Sequence, residues 1–341
     1  MLEIVTDSAP YDAYVERSEG ATPFHRRAWG EAIAAATGHG QHHLTALRAG
    51  VPAGVLPLTE VRSRLFGRSL VSNGFAVGGG PLADDAEALA ALDAAAVDLA
   101  KGGGIDVVEY RSSDERHDGF AEKDGVYAGF VREILPAEDD NLKAIPRKQR
   151  AEVRKAIKGD LTAKIGSDAE ARRGHWRMYS ESVRNLGTPV FPKSLFAEVL
   201  DRFGEDADIL TVYSDGEPVT SVLSVYHAGT VYPYWGGGTF DARRLKANEY
   251  MYWMLMDHAR QRGCTRFDFG RSKVGTGPYA YKKNWGFEPE PLTYEYKLLN
   301  GADMPDLNPN NPKFALMTKV WAKLPLAAAN IVGPYISRNL A

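Results

Sequence analysis

Cysteine is nearly absent from these 341 residues: Cys264 stands alone. One thiol can neither close an internal disulfide nor build a thiolate metal site, which excludes a disulfide-stapled module and fits a reducing compartment. Beside the helix-ending Gly263 it reads as a small buried residue, not a nucleophile. Long apolar runs are missing as well. No stretch reaches the roughly 18 to 20 residues that cross a bilayer, and Met1 to Pro10 carries acids where a secretory leader has a basic start and an apolar run. The expectation is a cytoplasmic protein. Nor is there a surplus of one charge, since 41 Lys and Arg against 44 Asp and Glu leave a net charge of −3. DNA is therefore not an expected partner, and any polyanion contact must be a local patch. His39, His42 and His43 lie close together without the spacing of a metal site, and no metal is expected. What the chain does have is 44% hydrophobic and 25% charged residues, enough for a sizeable core, over about twice the length of an ordinary domain.

That length is organised by a weak repeat. In the second half Ile209 to Tyr213, Val219 to Tyr226 and Val231 to Trp235 read as an antiparallel meander. Gly236-Gly237-Gly238 follow as a turn, then a helix with Met251, Tyr252, Leu255, Met256 and Ala259 at helical spacing, then a strand from Thr265 to Phe269. The first half repeats the order: Leu44 to Leu47, Val55 to Val61, Ser69 to Ser72, Gly78-Gly79-Gly80, a helix from about Ala83 to Lys101, and a strand from Ile105 to Tyr110. Gly80 and Gly238 are 158 residues apart, Gly104 and Gly263 are 159 apart, and Arg111 and Arg271 are 160 apart. A shared offset across a triplet, a helix end and a strand end is more than strand–helix alternation supplies.

Between the copies, Asn141 to Lys158 predicts a helix starting near Pro146. Arg147, Arg150, Arg154 and Lys158 share one face, and Val153, Ala156 and Ile157 another, so the helix docks by its apolar stripe and turns guanidinium forks outward, where they suit phosphate oxygens. A solvated charged face is the plainer alternative. Downstream, Asp268 to Pro289 opens as a strand end and becomes a glycine-rich segment. Gly270 and Gly275 have phosphate-loop spacing, but Thr276 stands where that loop requires lysine, which excludes a nucleotide hydrolase. Lys282 and Lys283 are read as extended, so only one can face a site. Tyr279, Tyr281 and Asp268 are candidate proton carriers beside Lys282. Arg271, Lys283 and Trp285 join Arg147, Arg150 and Arg154 as candidate substrate-binding residues.

The repeated unit of meander, glycine-rich turn, helix and returning strand resembles the GNAT acyltransferase superfamily. Tyr281-Lys282-Lys283-Asn284-Trp285-Gly286-Phe287 resembles the aromatic-Lys-x-x-aromatic-Gly signature of FemAB-type peptidoglycan aminoacyltransferases. With Asp268 to Ser272, Thr22 to His25, Gly54 to Leu58, Pro146 to Arg150 and Asn308 to Lys313, the ordered set resembles the FemAB-like proteins associated with PEP-CTERM and exosortase systems. The resemblance implies an α+β chain of tandem GNAT-like domains, divided here as 1–138, 139–300 and a C-terminal extension 301–341. It also implies transfer of an acyl or aminoacyl group onto a primary amine of a peptidoglycan or exopolysaccharide precursor, small or lipid-linked. The lysine matching Lys282 would stabilise the charge that develops when an amine attacks an ester.

The sequence departs from that pattern by lacking the long helical-hairpin arm of the bridge-building enzymes. The donor is therefore either aminoacyl-tRNA or acyl-CoA, with no tightly bound cofactor, and tRNA stays open as a partner. The Gln/Arg-x-x-Gly-x-Gly/Ala loop that binds the CoA pyrophosphate has its nearest match at Arg64 to Ser69, between strands of the first copy. A glycine triplet at 236–238 could offer amides to an anion. The alternatives are an acyl-CoA-dependent enzyme acting on an amino sugar or lipid-linked saccharide, and a non-catalytic binding protein in exopolysaccharide export. The end of the chain, Val320 to Leu340, is apolar, basic at Lys319, Lys323 and Arg338, and interrupted by Pro325 and Pro334. The plainer reading is a terminal helix docked on the body; the sharper is a peripheral membrane contact at the inner face.

Overall fold

The computed structural model describes residues 2–63, 67–111, 116–305 and 312–339. In chain order the elements are β1 (Leu2–Thr6), α1 (Tyr11–Arg17), α2 (Arg27–Thr37), β2 (Gly40–Arg48), β3 (Val51–Ser63), β4 (Gly67–Ser72), β5 (Leu82–Ala83), α3 (Ala86–Gly103) and β6 (Val107–Arg111). There follow β7 (Ala121–Glu133), α4 (Glu138–Ala144), α5 (Arg147–Ile157), β8 (Leu161–Gly166), α6 (Ala169–Asn185), α7 (Lys193–Phe203), β9 (Ala207–Ser214), β10 (Glu217–His227) and β11 (Thr230–Gly238). The last are α8 (Ala247–Gln261), β12 (Arg266–Asp268), β13 (Ser272–Lys273), α9 (Gly277–Asn284), β14 (Pro289–Leu298), α10 (Pro312–Trp321) and α11 (Leu326–Ser337).

Two units result. Met1–Val126, Leu292–Leu307 and Ser337–Ala341 form the first, and Tyr127–Pro291 with Asn308–Ile336 form the second. In the first, β1, β2, β3 and β4 pair antiparallel in sequence order, and β4 pairs parallel with β6, Ser69 opposite Val107. In the second, β8, β9, β10 and β11 pair antiparallel in the same order, and β11 pairs parallel with β12, Thr230 opposite Arg266. A parallel pair needs a crossover connection, and α3 and α8 supply it at matching places. The repeat in the sequence is thus a repeat of topology.

Each sheet then takes its next strand from the other half of the sequence. In the first unit β14 lies antiparallel to β6, Tyr294 opposite Arg111. In the second β7 lies antiparallel to β12, Glu133 opposite Arg266. The units accordingly change at 126/127, inside β7, and at 291/292, inside β14, where the sequence reading divides the chain at 138/139 and 300/301.

Local chemistry explains the helices. In α3 the buried Ala88, Leu92, Ala96 and Ala100 recur every four residues, the Asp85 carboxylate accepts the Ala88 N–H at 3.0 Å, and Gly104 ends the helix with φ 62°, a left-handed stop that glycine adopts without strain. The helix begins at Ala86, after β5, and not at Ala83. In α8 Met251, Leu255, Met256 and Ala259 are buried and pack with Phe130, Phe267, Phe269, Trp285 and Phe287 in the core of the second unit. The triplet Gly236–Gly238 is the end of β11 and not a turn. Its composition follows from close packing: a Cβ on Gly237 would lie 2.7 Å from the Tyr179 Cα of α6, so only glycine lets helix and strand approach this far.

Candidate active site

Asp268 ends β12 and Lys282 lies in α9, not in an extended segment. Pro278 in the first turn opens α9 after Gly277, so Lys282 and Lys283 diverge by a helical step. Lys282 turns inward and is only 9% exposed, whereas Lys283 stays in solvent over the Tyr279 ring at 6.0 Å. The Lys282 Nζ donates to the carbonyls of Gly270 and Arg271, both at 2.9 Å, and faces the Phe130 and Phe269 rings at 5.2 and 5.5 Å. Two of its three donors therefore fix the turn after β12 and one remains. Burial pulls its pKa down to about 7, opposed by the Asp268 carboxylate and assisted by Arg271. Asp268 moves the other way: burial pushes it up to about 6, against the Gly270 N–H it accepts at 2.8 Å and the charge of Lys282. The result is an acid and a cation that both titrate near neutrality, an arrangement suited to proton transfer and to stabilising developing charge.

Tyrosines surround this pair. Tyr279 packs edge-on against Phe130 at 5.3 Å. Tyr281 is held well above the ordinary phenol range by burial, so it is a neutral donor and not a base. Trp285 is completely buried in the core, which corrects its assignment to substrate contact: it supports α9 from beneath. Arg271 is half-buried with its guanidinium over Tyr127 at 4.7 Å.

A second feature lies where β11 passes into α8. A cleft of about 440 Å³ is lined by Ser182, Gly238, Thr239, Phe240, Ala242, Arg243, Arg244 and Asn248. Phe240 is 89% exposed at its rim, Arg243 is exposed, and Arg244 pairs with Asp241 at 3.3 Å. Thr220 of β10 donates to the Asn248 side chain at 2.9 Å and so pins the start of α8. An aromatic face, two guanidinium groups and a helix N-terminus in one cleft are the elements that hold a phosphate-bearing ligand. Tyr252 connects cleft strand and lysine region: a Cβ on Gly236 would lie 3.3 Å from its hydroxyl, and its ring meets Phe269 at 4.6 Å and Tyr281 at 6.1 Å. Sequence reasoning missed Phe240, Arg243, Arg244 and Asn248, although paired arginines between a strand end and a helix start were visible.

The basic helix is present as α5, with Gln149, Val153 and Ala156 buried. Ile157 is exposed, not part of the docking stripe. Arg147 and Arg154 are exposed, while Arg150 is half-buried and donates to the Lys143 carbonyl at 3.0 Å. Glu152, the one acid in the segment, is engaged by Lys155 at 3.0 Å and by Lys246, at the start of α8, at 2.9 Å. That bridge ties α5 to the cleft's helix. Elsewhere, Cys264 is buried with its thiol pushed up by burial, and His43 bonds Asp7 at 2.9 Å. Of the pyrophosphate-loop match, 64–66 lie outside the described residues, as do 308–311 of the tail motif.

Residues 146–283 match the family model described as an acetyltransferase (GNAT) domain. The second unit has a GNAT fold. Among solved structures, FemX is similar over 85% of this chain and 96% of its own, with 18% identity and a TM-score of 0.69. L-PGS from Bacillus licheniformis is similar over 88% of this chain and 98% of its own, with 13% identity and a TM-score of 0.55. A tandem GNAT protein from the clavulanic acid biosynthesis pathway covers 89% and 100%, with 13% identity and a TM-score of 0.54. These likenesses establish the fold over both units. No curated protein sequence matches the chain. Among the described residues no helix is long and apolar enough to cross a membrane, and no cluster of His, Cys, Asp and Glu could hold a metal ion.

Proposed function

We propose that the protein is an N-acyltransferase of the FemAB type whose second unit binds a phosphate-bearing acyl or aminoacyl donor and transfers its acyl group to a primary amine of a cell-envelope precursor. The observation that carries this reading is the cleft at the β11–α8 junction, with Phe240, Arg243 and Arg244 at its edge, inside the residues that match the acetyltransferase domain. The acceptor amine attacks the donor carbonyl, a C–N bond forms, the carrier's C–S or C–O bond breaks, and the amine proton passes to Asp268. Lys282 supplies the positive charge facing the tetrahedral oxyanion and the departing carrier. The exposed guanidinium groups of Arg147 and Arg154 meet acceptor phosphates.

The nature of the carrier is the finer question. Aminoacyl-tRNA fits the FemAB resemblance of the Tyr281 to Phe287 signature. Acyl-CoA fits a sequence that lacks the long helical-hairpin arm of the bridge-building enzymes. Thermal-shift titration of the purified chain with acyl-CoAs, aminoacyl-tRNA and nucleotide-linked muropeptides, followed by amide formation with the stabilising pair, tests the proposal. Stabilisation by a donor and an acceptor together with amide product is expected. Stabilisation by an acceptor alone, with no donor bound and no product, would overturn it in favour of a glycan-binding protein.

A further inference from the structure

The helices α10 and α11 are seated on the second unit by one side only. Ala329 is buried, Asn330 donates to the Ser180 hydroxyl at 3.4 Å, and Arg184 donates to the Ala322 carbonyl at 3.3 Å. Gly333 sits so close to Val190 that a Cβ there would meet its backbone nitrogen at 3.0 Å. These contacts leave other apolar side chains of the two helices outward. On the other side Met317, Val320, Ile331, Val332 and Tyr335 are in solvent, five of the eleven exposed large hydrophobics among the described residues. Ile331 and Tyr335 are 69% and 66% exposed, and with Val332 they fall on one face of α11.

Charge separates this face from the rest of the molecule. The chain carries 44 acidic residues, yet none of the 23 from Met317 to Asn339 is Asp or Glu, while Lys319, Lys323 and Arg338 are basic. Lys319 and Lys323 are exposed at the end of α10. A two-fold contact with a second copy would bring like charges together. An anionic bilayer instead takes the apolar side chains into its headgroup boundary and the ammonium groups onto its phosphates, two weak signals that combine into stable attachment.

We propose that the outer face of α10 and α11 docks the protein on an anionic lipid surface. The contact lies in the interface plane, since α11, at 12 residues, is too short to span. It is independent of the transferase reading. The test is flotation of the full chain with vesicles of phosphatidylcholine alone and of phosphatidylcholine mixed with phosphatidylglycerol. Binding to the mixed vesicles, weakened by salt and absent with phosphatidylcholine alone, is expected. The pair Ile331→Asp and Tyr335→Asp lowers binding by about tenfold or more, with circular dichroism and thermal melting reporting an intact fold. The pair Lys319→Glu and Lys323→Glu, which touches no apolar contact, lowers it by about tenfold. Failure of the full chain to float with the mixed vesicles, or undiminished flotation of the lysine pair, would overturn the proposal. A dimer in sedimentation velocity that the α11 variants dissociate would overturn it too, by assigning the face to a second copy.

Discussion

Where β4 ends in the first unit, a network of side chains ties down the chain; where β11 ends in the second, one side chain, that of Thr220, bonds both the Gly237 carbonyl at 3.0 Å and Asn248 at 2.9 Å, and a cleft lies beside them. In the first, Trp29 donates to the Gly74 carbonyl at 3.0 Å, Asn73 to the Phe24 carbonyl at 3.1 Å, and Arg111 to the Ala76 carbonyl at 3.0 Å. His25 bonds the Gly80 carbonyl at 2.9 Å. Arg111 is itself buried and paired with the buried Glu109 at 2.7 Å. In the second, the residue at the matching offset, Arg271, lies over Tyr127, and the junction bears the arginine-lined cleft. The same topology thus spends its polar side chains on holding a loop in one copy and lines a cleft with them in the other. A duplicated fold keeps its architecture in both copies and needs a cleft at only one junction for chemistry.

This contrast can be broken from either side. The largest effect is expected from Arg111→Met, which strands the Glu109 carboxylate in the first unit. Removing one partner of a buried pair costs about 3–5 kcal/mol, read as a lower denaturation midpoint, with donor affinity unchanged in the folded fraction. A loss of donor binding without a loss of stability would mean that the first junction also meets substrate. Lys282→Met comes next: turnover should fall by about a hundredfold, the scale of removing one preorganised donor from an oxyanion, while the donor KM stays near its original value. Normal turnover would remove Lys282 from the reaction. Arg243→Ala with Arg244→Ala should raise the donor KM by about tenfold and leave kcat in place, because exposed guanidinium groups bind the carrier equally before and during reaction. The smallest effect is that of pH. Asp268 must lose its proton to accept one, and does so at about 6; Lys282 must keep its proton, and loses it at about 7. Activity should therefore rise through the first value and decline beyond the second, and in the residual activity of Asp268→Asn the acidic limb should vanish while the basic one moves to lower pH, because the Asp268 carboxylate holds the Lys282 pKa up.

The order of elements was legible because Gly104 and Gly263 end the crossover helices at one offset, whereas the triplets differ: 236–238 end β11, while 78–80 lie in the loop between β4 and β5. Helix α5 was legible from Pro146 and its split faces. The helical state of Lys282 was not, because Gly275 and Gly277 read as a loop and outweighed Pro278, although proline in a first turn is a start signal. The cleft was hidden for a related reason: a glycine triplet looks like a turn unless the helix packed on it is known, and Gly237 is there for α6. Strand exchange left no trace at all. The side-chain alternation of β7 and β14 records which face is buried and says nothing about which sheet receives the edge.

That exchange has a consequence for how the protein is made. Tyr294 and Arg111, partners across the first sheet, are 183 residues apart, so the portion synthesised first cannot complete its sheet until the ribosome has nearly finished the chain. β6 waits through the production of the whole acetyltransferase-like half with one edge unpaired, the condition under which strands find the wrong neighbour. Arresting translation just before and just after β14 emerges would place the moment at which the earlier half becomes protease-resistant.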